Sequence, residues 1–370
     1  MNKKTLFISL FLCLVMLFSL VGCGSSGTAG NGENTGTTGN EDWIDLNLTF
    51  ATFLTEQNPC QGNIATLQEK LDEKMPGKVK ITTYANGTLL AAPDIFDGVL
   101  TGTCDIGYIQ CNMLPARLPL CLMLDYPGVS YNSSGVACKV FKEYLETLQP
   151  KELEDVVVLL TQCSGPGSFV TSKKVTKMSD LAGKQIRATS SSAAAVTAYG
   201  AVPVTLDIGE VYEALRNGLV DGAYTMFGGA ANSNLDEVAK YALITPEYNS
   251  GYLFVMNKDV FNSMPQSQQE AFMEACEEAF NEYTVYYQEE GLTTDPSCVR
   301  AIQNMEINFL EGEALEEFRQ AGANLMEEYA KSLDAKGLEG TKAMNLLREL
   351  ADKYNKEYTW EEYKACYNLE

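Results

Sequence analysis

The stretch GKQIRATSSS, residues 183–192, carries one arginine from the end of a short β-like run into a row of small residues. The chain has six arginines: Arg117, Arg187, Arg216, Arg300, Arg319 and Arg348. Arg216, Arg300, Arg319 and Arg348 sit in polar helical contexts and read as solvated, while Arg117 lies in the loop-like LPARLPL. Only Arg187 follows a strand and precedes side chains small enough to leave room for a guest. A guanidinium is a planar fork that grips a carboxylate through two parallel hydrogen bonds, whereas lysine offers a point charge. The chemistry expected at Arg187 is therefore anion recognition, with pairing to an internal Asp or Glu as the structural alternative.

Catalytic chemistry has little to stand on. The chain contains no histidine, which removes Ser-His-Asp and Cys-His nucleophile pairs and His-containing zinc sites. Its eleven cysteines are scattered, and none forms a C-x-x-C pair. Setting aside Cys13 and Cys23 leaves an odd number, which reads as buried, unpaired small hydrophobes. No Ser-Lys dyad or carboxylate pair stands out among the 49 acids. We therefore expect no enzyme activity, no cofactor and no metal. A formal net charge of −22 argues against nucleic acid as a partner, because the phosphates would be repelled.

Residues 1–22 hold two lysines, no acid and a long apolar run from Leu6, the pattern of a secretory signal peptide. A transmembrane helix is the rival reading of that length. The end decides for export: Leu20-Val21-Gly22-Cys23 resembles a bacterial lipobox, which implies cleavage before Cys23 and a lipid on its sulfur. Residues 23–43 then form the lipidated cysteine and a Gly/Ser/Thr/Asn linker, too polar to pack. The expected location is extracytoplasmic, lipid-anchored on the outer face of the cell membrane.

The elements that must position Arg187 follow from residue 44 onward. Short β-like runs alternate with helical stretches, which means βαβ units and mostly parallel sheets. DVVVLLT (155–161) is continuously apolar, as in a central parallel strand. Residues 265–291 read as one helix, long enough to run across two lobes and join them. The expected fold class is α/β, a two-lobed periplasmic-binding-protein-like clamshell with a long helix spanning both lobes. Lobe I is assigned 44–164 plus 253–292; lobe II is assigned 165–252 plus 293–370 with the C-terminal helices. Ligands of such folds bind between lobes, outside the carboxyl ends of strands. Around Arg187 the local grammar is complete. Asp207 and Glu210 make a capping-box pattern, Val211, Ala214 and Leu215 supply an apolar face, and Gly218 suits a left-handed stop.

The order of these pieces resembles the solute receptors of TRAP (tripartite ATP-independent periplasmic) transporters, the DctP-like family. GKQIR (183–187), GAVPV (200–204), EVYEAL (210–215) and GLVDG (218–222) carry the likeness, and PDIFDGVLTGTCDIGYI (93–109), LMLDYPGV (122–129) and MNKDVFNSMPQSQQEA (256–271) support it. The resemblance spans roughly residues 44–330. It implies that Arg187 pairs with a ligand carboxylate, that the lobes close on a small organic acid, and that a TRAP membrane permease receives it. A monomer without cofactor is also implied. A receptor of an ATP-driven importer and a ligand sensor with the same fold are the alternatives.

Two departures bear on the ligand. Many members of the family carry a second arginine where this chain has Gly167, and a polar pair after Val-Asp-Gly where Ala223-Tyr224-Thr225 stand here. Lys173 and Lys174 are the available substitutes for the missing charge. A less polar site results, with Phe53, Tyr108, Tyr224 and Phe227 as candidate aromatic walls, and Gln110, Asn112 and Thr225 as candidate polar contacts. The expected ligand is a small monocarboxylate with an apolar or aromatic body.

Overall fold

Strands and helices alternate from Asp42 to Asn368, the residues that the computed structural model describes; the signal-peptide and Cys23 expectations lie outside the described residues. The first half runs β1 (Leu46–Ala51), α1 (Gln61–Lys74), β2 (Val79–Tyr84), α2 (Ile95–Leu100), β3 (Ile106–Gln110), α3 (Ser134–Leu148) and β4 (Val156–Cys163). Next come β5 (Gly167–Thr171), β6 (Gln185–Ala188), α4 (Ser190–Ala198), β7 (Val202–Thr205), α5 (Ile208–Arg216), β8 (Gly222–Met226), α6 (Phe227–Asn232) and β9 (Tyr241–Thr245). The chain then follows β10 (Gly251–Asn257), α7 (Lys258–Asn262), α8 (Gln266–Ala279), α9 (Tyr287–Thr294), α10 (Pro296–Asn304) and β11 (Glu306–Phe309). It closes with α11 (Gly312–Asp334), α12 (Gly340–Tyr354) and α13 (Trp360–Ala365).

Two sheets result, ordered β2-β1-β3-β10-β4 and β11-β9-β5-β8-β6-β7. Each is parallel except for one strand that arrives from the other lobe. β10 runs antiparallel to β3 and β4, and β5 antiparallel to β8 and β9. The two crossovers, 164–166 and 246–250, run beside each other, and Ser164 N donates to Ser250 O at 2.9 Å. The continuous apolar run at 155–161 is thus not a central parallel strand. β4 is an edge strand antiparallel to β10, apolar because α3 and α8 pack against it.

The pleat of the second sheet divides its side chains between two cores. Val170 and Ala223 join one with Val211, Phe227 and Leu235, whereas Phe169 and Tyr224 join the other with Ile186, Val196 and Phe318. The period of two along each strand requires this.

The helix expected over 265–291 is broken. α8 buries Phe272, Ala275 and Cys276 against the first core. A wide π-turn then spans Phe280–Thr284, and α9 sends Leu292 into a second-sheet core. The break has local anchors: Thr284 Oγ1 donates to Asn63 Oδ1 at 2.6 Å, and α3 starts against the Val285 carbonyl at Gly135. A second helix also bridges the lobes. α11 packs Phe318 among the second-lobe aromatics and Met326, Ala330 and Leu333 into the first core. The C-terminal helices therefore do not all belong to lobe II. α12 returns Leu347 and Leu350 to the first core, and only the α13 region, through Tyr363 and Tyr367, joins the second. Each follows the apolar stripe it carries, not its place in the chain.

Where α11 changes cores it touches backbone. Gly322 lies against Gly128, whose φ of 108° lies in the left-handed region, and a Cβ added at Gly322 would stand 2.7 Å from Gly128 N. Beside this crossing, Asp125 ties the first lobe to the second crossover. Its Oδ1 accepts from Gly251 N at 2.9 Å, and its Oδ2 from Asn112 Nδ2 at 2.9 Å and Ser250 Oγ at 3.2 Å. Burial raises its pKa from 3.8 to about 7, against those three donors.

Two outcomes are expected. Gly322→Ala overpacks a backbone contact and lowers stability by about 1–3 kcal/mol, read as a lower urea midpoint at unchanged m-value; a wild-type midpoint would show that α11 stands clear of the 127–128 backbone. For Asp125, the folded state holds a proton between pH ~4 and ~7 that the unfolded chain has released, so its contribution to stability falls as pH rises through that window. Asp125→Asn stays neutral, and in urea titrations it gains stability relative to wild type from pH 5 to pH 8. Parallel pH profiles for the two proteins would contradict this.

Candidate functional site

Five of the six arginines have an acid close by. Arg117 lies 3.6 Å from Asp97, Arg216 3.4 Å from Glu213 and Arg348 3.7 Å from Glu327. Arg300 and Arg319, read as solvated from sequence, reach buried carboxylates instead. Arg300 forks onto Asp236 at 3.1 and 3.0 Å, and Arg319 approaches Glu247 at 3.5 Å. Arg187 differs from all of these. It is only 4% exposed, yet no carboxylate stands within ion-pair distance of it among the described residues. Its one hydrogen bond is from Nε to Leu206 O, 2.8 Å, which leaves both Nη groups uncommitted there. Burial pulls its pKa down, opposed by nearby Tyr248 and Asp207.

The local sequence produces this placement. β6 is central to its half of the sheet, paired in parallel with β7 and β8, so Arg187 lies opposite Val204 and Ala223. Leu206 follows β7, and α5 begins at once, with Asp207 N donating to Glu210 Oε2 at 3.1 Å as the capping pattern requires. Val211, Ala214 and Leu215 are buried, and Gly218 has φ 70°. The strand end, the turn and the helix start thus hold the guanidinium stem in place.

A cleft of about 330 Å³ opens between the two sheets, lined from both. Of the residues expected to face the ligand, Phe53, Tyr108, Gln110 and Phe227 line it. Tyr224 and Thr225 do not line it: Tyr224 is a core residue stacked on Phe169 at 4.3 Å, and Thr225 is buried beside it in β8. Asn112 is committed to Asp125 and Ser250. Lys173 is exposed, and Lys174 pairs with Glu306. Arg187 does not itself line the cleft. Tyr248 connects the two, since it neighbours Arg187 as well as Tyr252, a cleft residue.

Sequence reasoning missed the aromatics that build this passage. Tyr252 stacks on Tyr108 at 5.5 Å and 6°, and Phe53 leans on Tyr108 at 5.5 Å. Tyr248 covers Gly167, the position of the missing second arginine: a Cβ there would lie 2.3 Å from Tyr248 Cβ. The glycine is more than a missing charge: it makes room for a ring. The opposite wall carries a polar corner of Cys60, Gln162, Tyr287, Gln288 and Glu289. Glu289 accepts from Ser134 N at 2.6 Å and Ser134 Oγ at 2.9 Å. Burial raises its pKa to about 7 despite these bonds at the start of α3. Among the described residues, no lysine or arginine lines the cleft.

Two further cavities contain none of the expected residues. One, about 470 Å³, lies between α3, β4 and α8; the other, about 320 Å³, lies beside Arg319 and Arg348. The nine cysteines of the described residues are all free, and seven are buried. No helix among the described residues is long and apolar enough to cross a membrane.

Known proteins share this fold. Residues 50–332 match the family model described as bacterial extracellular solute-binding protein, family 7. The 2,3-diketo-L-gulonate-binding periplasmic protein of Escherichia coli is 27% identical over 57% of this chain and 66% of its own. A TRAP periplasmic solute-binding protein of Desulfovibrio salexigens, solved in an open form, superposes with a TM-score of 0.77 at 25% identity, covering 84% of this chain and 97% of that one. A marine metagenome TRAP solute-binding protein specific for aromatic acids, solved with 3-hydroxybenzoate, gives a TM-score of 0.74 at 24% identity over 84% and 99%.

Proposed function

This chain belongs to the bacterial extracellular solute-binding proteins of family 7, receptors of TRAP transporters and not enzymes, and we propose that it captures a small monocarboxylate with an apolar or aromatic body. The carboxylate is held by Arg187, the body lies along Tyr248, Tyr252, Tyr108, Phe53 and Phe227, and closure of the lobes seals it in. The loaded receptor, a monomer anchored through Cys23 outside the cell membrane, then delivers its ligand to a TRAP permease.

One observation carries this reading: Arg187 is the most deeply buried arginine and, among the described residues, the one with no acid within ion-pair distance, Asp207 acting on it only from farther off. Removing a cation from water without a partner costs several kcal/mol, so an anion that fills the site recovers a large interaction. The absence of lysine and arginine along the cleft, with Glu289 and Asp295 on its lining, favours a single carboxylate over a diacid. The fold also carries aromatic acids elsewhere, as in the 3-hydroxybenzoate receptor. A ligand drives closure only through its additional affinity for the closed form, and no nucleotide or catalytic step enters.

The test is a thermal-shift screen of residues 43–370 against aliphatic and aromatic monocarboxylates, dicarboxylates and sugar acids, repeated with Arg187→Ala and Arg187→Lys. A monocarboxylate at a hundredfold its Kd adds about 2.7 kcal/mol. Arg187→Ala is expected to weaken it by about 100-fold and Arg187→Lys by less, since one point charge replaces the fork. Equal shifts for wild type and Arg187→Ala would overturn the assignment. Preferential binding of sugar acids or dicarboxylates would overturn the ligand class.

A further inference from the structure

The polar corner across the cleft from the second sheet has a hydrogen-bond imbalance centred on Tyr287. A phenol oxygen accepts two hydrogen bonds and donates one. Both acceptor positions are filled by amides: Gln162 Nε2, in a short contact, and Gln288 Nε2 at 2.6 Å. The Gln162 amide cannot turn freely. It is fully buried, and its Oε1 accepts from Asn63 Nδ2 at 3.3 Å. Asn63 is itself held by Thr284 Oγ1 at 2.6 Å and by its own bond to Cys60 O at 3.0 Å. Gln162 therefore presents its NH2 group to Tyr287.

The Tyr287 hydroxyl is left with its proton to give. Among the described residues the acceptor in reach is Cys60 Sγ, 3.4 Å away, and sulfur is a weak acceptor. That sulfur already receives Gln162 Nε2 at 3.1 Å. Burial keeps the phenol protonated, and both Tyr287 and Cys60 line the cleft. A donor committed by its neighbours thus faces a ligand cavity with only a thiol to satisfy it.

We infer that Tyr287 O–H reads a second, uncharged oxygen on the ligand, at the end away from the carboxylate. This deepens the carboxylate-receptor reading and rests on it. The ligand class narrows to acids whose apolar or aromatic body ends in a hydrogen-bond-accepting carbonyl or ether oxygen. A second carboxylate does not fit, because Glu289 lines the same corner and no cation does.

The test uses three acids of graded length, benzoate, phenylacetate and 3-phenylpropanoate, each beside its 4-acetyl derivative, titrated calorimetrically into residues 43–370. At least one acetyl acid should bind about tenfold tighter than its parent. Tyr287→Phe should erase that gain and leave the parent's affinity within about twofold. Cys60→Ala, which removes the competing internal acceptor, should preserve the gain; its loss there would assign the effect to the thiol and overturn the inference. Melting of the unliganded variants checks that each is folded. If the parent acids bind in an Arg187-dependent way and no acetyl group gains affinity, the Tyr287 inference falls and the carboxylate reading stands. If no acid of either kind loses affinity in Arg187→Ala, both fall together.

Discussion

A guanidinium buried without a carboxylate is the constraint on which this structure turns. Arg187 is held in the sheet by β7 and β8, its stem oriented by one bond to Leu206 O. The other arginines each have an acid within 4 Å, so the chain has no general shortage of counter-charge: 49 acids are available. Leaving this one cation unpaired weakens the empty protein and strengthens whatever anion arrives. That trade belongs to a receptor: the groups nearest the charge are Tyr248 and, beyond ion-pair distance, Asp207. Tyr248 stands next to the charge without neutralising it, on space that Gly167 leaves open.

The rest of the fold allows two lobes to face each other across that charge. Two strand crossovers pass side by side, and each incoming strand runs antiparallel in the sheet that receives it. α11 and the α8–α9 run add a second kind of bridge, with apolar residues in the first core at one end and in the second at the other. The wide turn at Phe280–Thr284 does more than interrupt a helix. It precedes Tyr287, Gln288 and Glu289, which line the cleft, and such turns are frequent at functional sites. Asp125, bonded to Asn112, Ser250 and Gly251, joins the first lobe to a crossover by buried hydrogen bonds, which makes that connection specific in geometry.

What could be read from sequence follows the range of the interactions. The block 180–222 was legible because its physics is local: a strand end, a capping pair at Asp207 and Glu210, an apolar helix face and a glycine stop all lie within one short segment. The VPVT and GYLFVMN strands fall where their composition puts them. β4 was misplaced because a continuous apolar run reports burial on two faces, which helices supply at a sheet edge as well as at its centre. Tyr248, Tyr252 and Tyr287 were missed because nothing near them in sequence distinguishes them; they meet Arg187, Gly167 and Gln162 only through the crossovers. Tyr224 lay in the right block, but strand alternation turned it into the core beside Phe169. Its neighbours in sequence carry no sign of which face the sheet would bury.

The claim that an empty, charged socket selects the ligand is tested most directly by one calorimetric comparison. A monocarboxylate that binds is titrated beside its neutral primary carboxamide, which has nearly the same shape and lacks the charge. If Arg187 is the socket, the amide binds at least about 100-fold more weakly, because it leaves the buried guanidinium uncompensated. If acid and amide bind alike, the cleft selects by shape alone, and Arg187 is a structural residue whose burial requires another explanation.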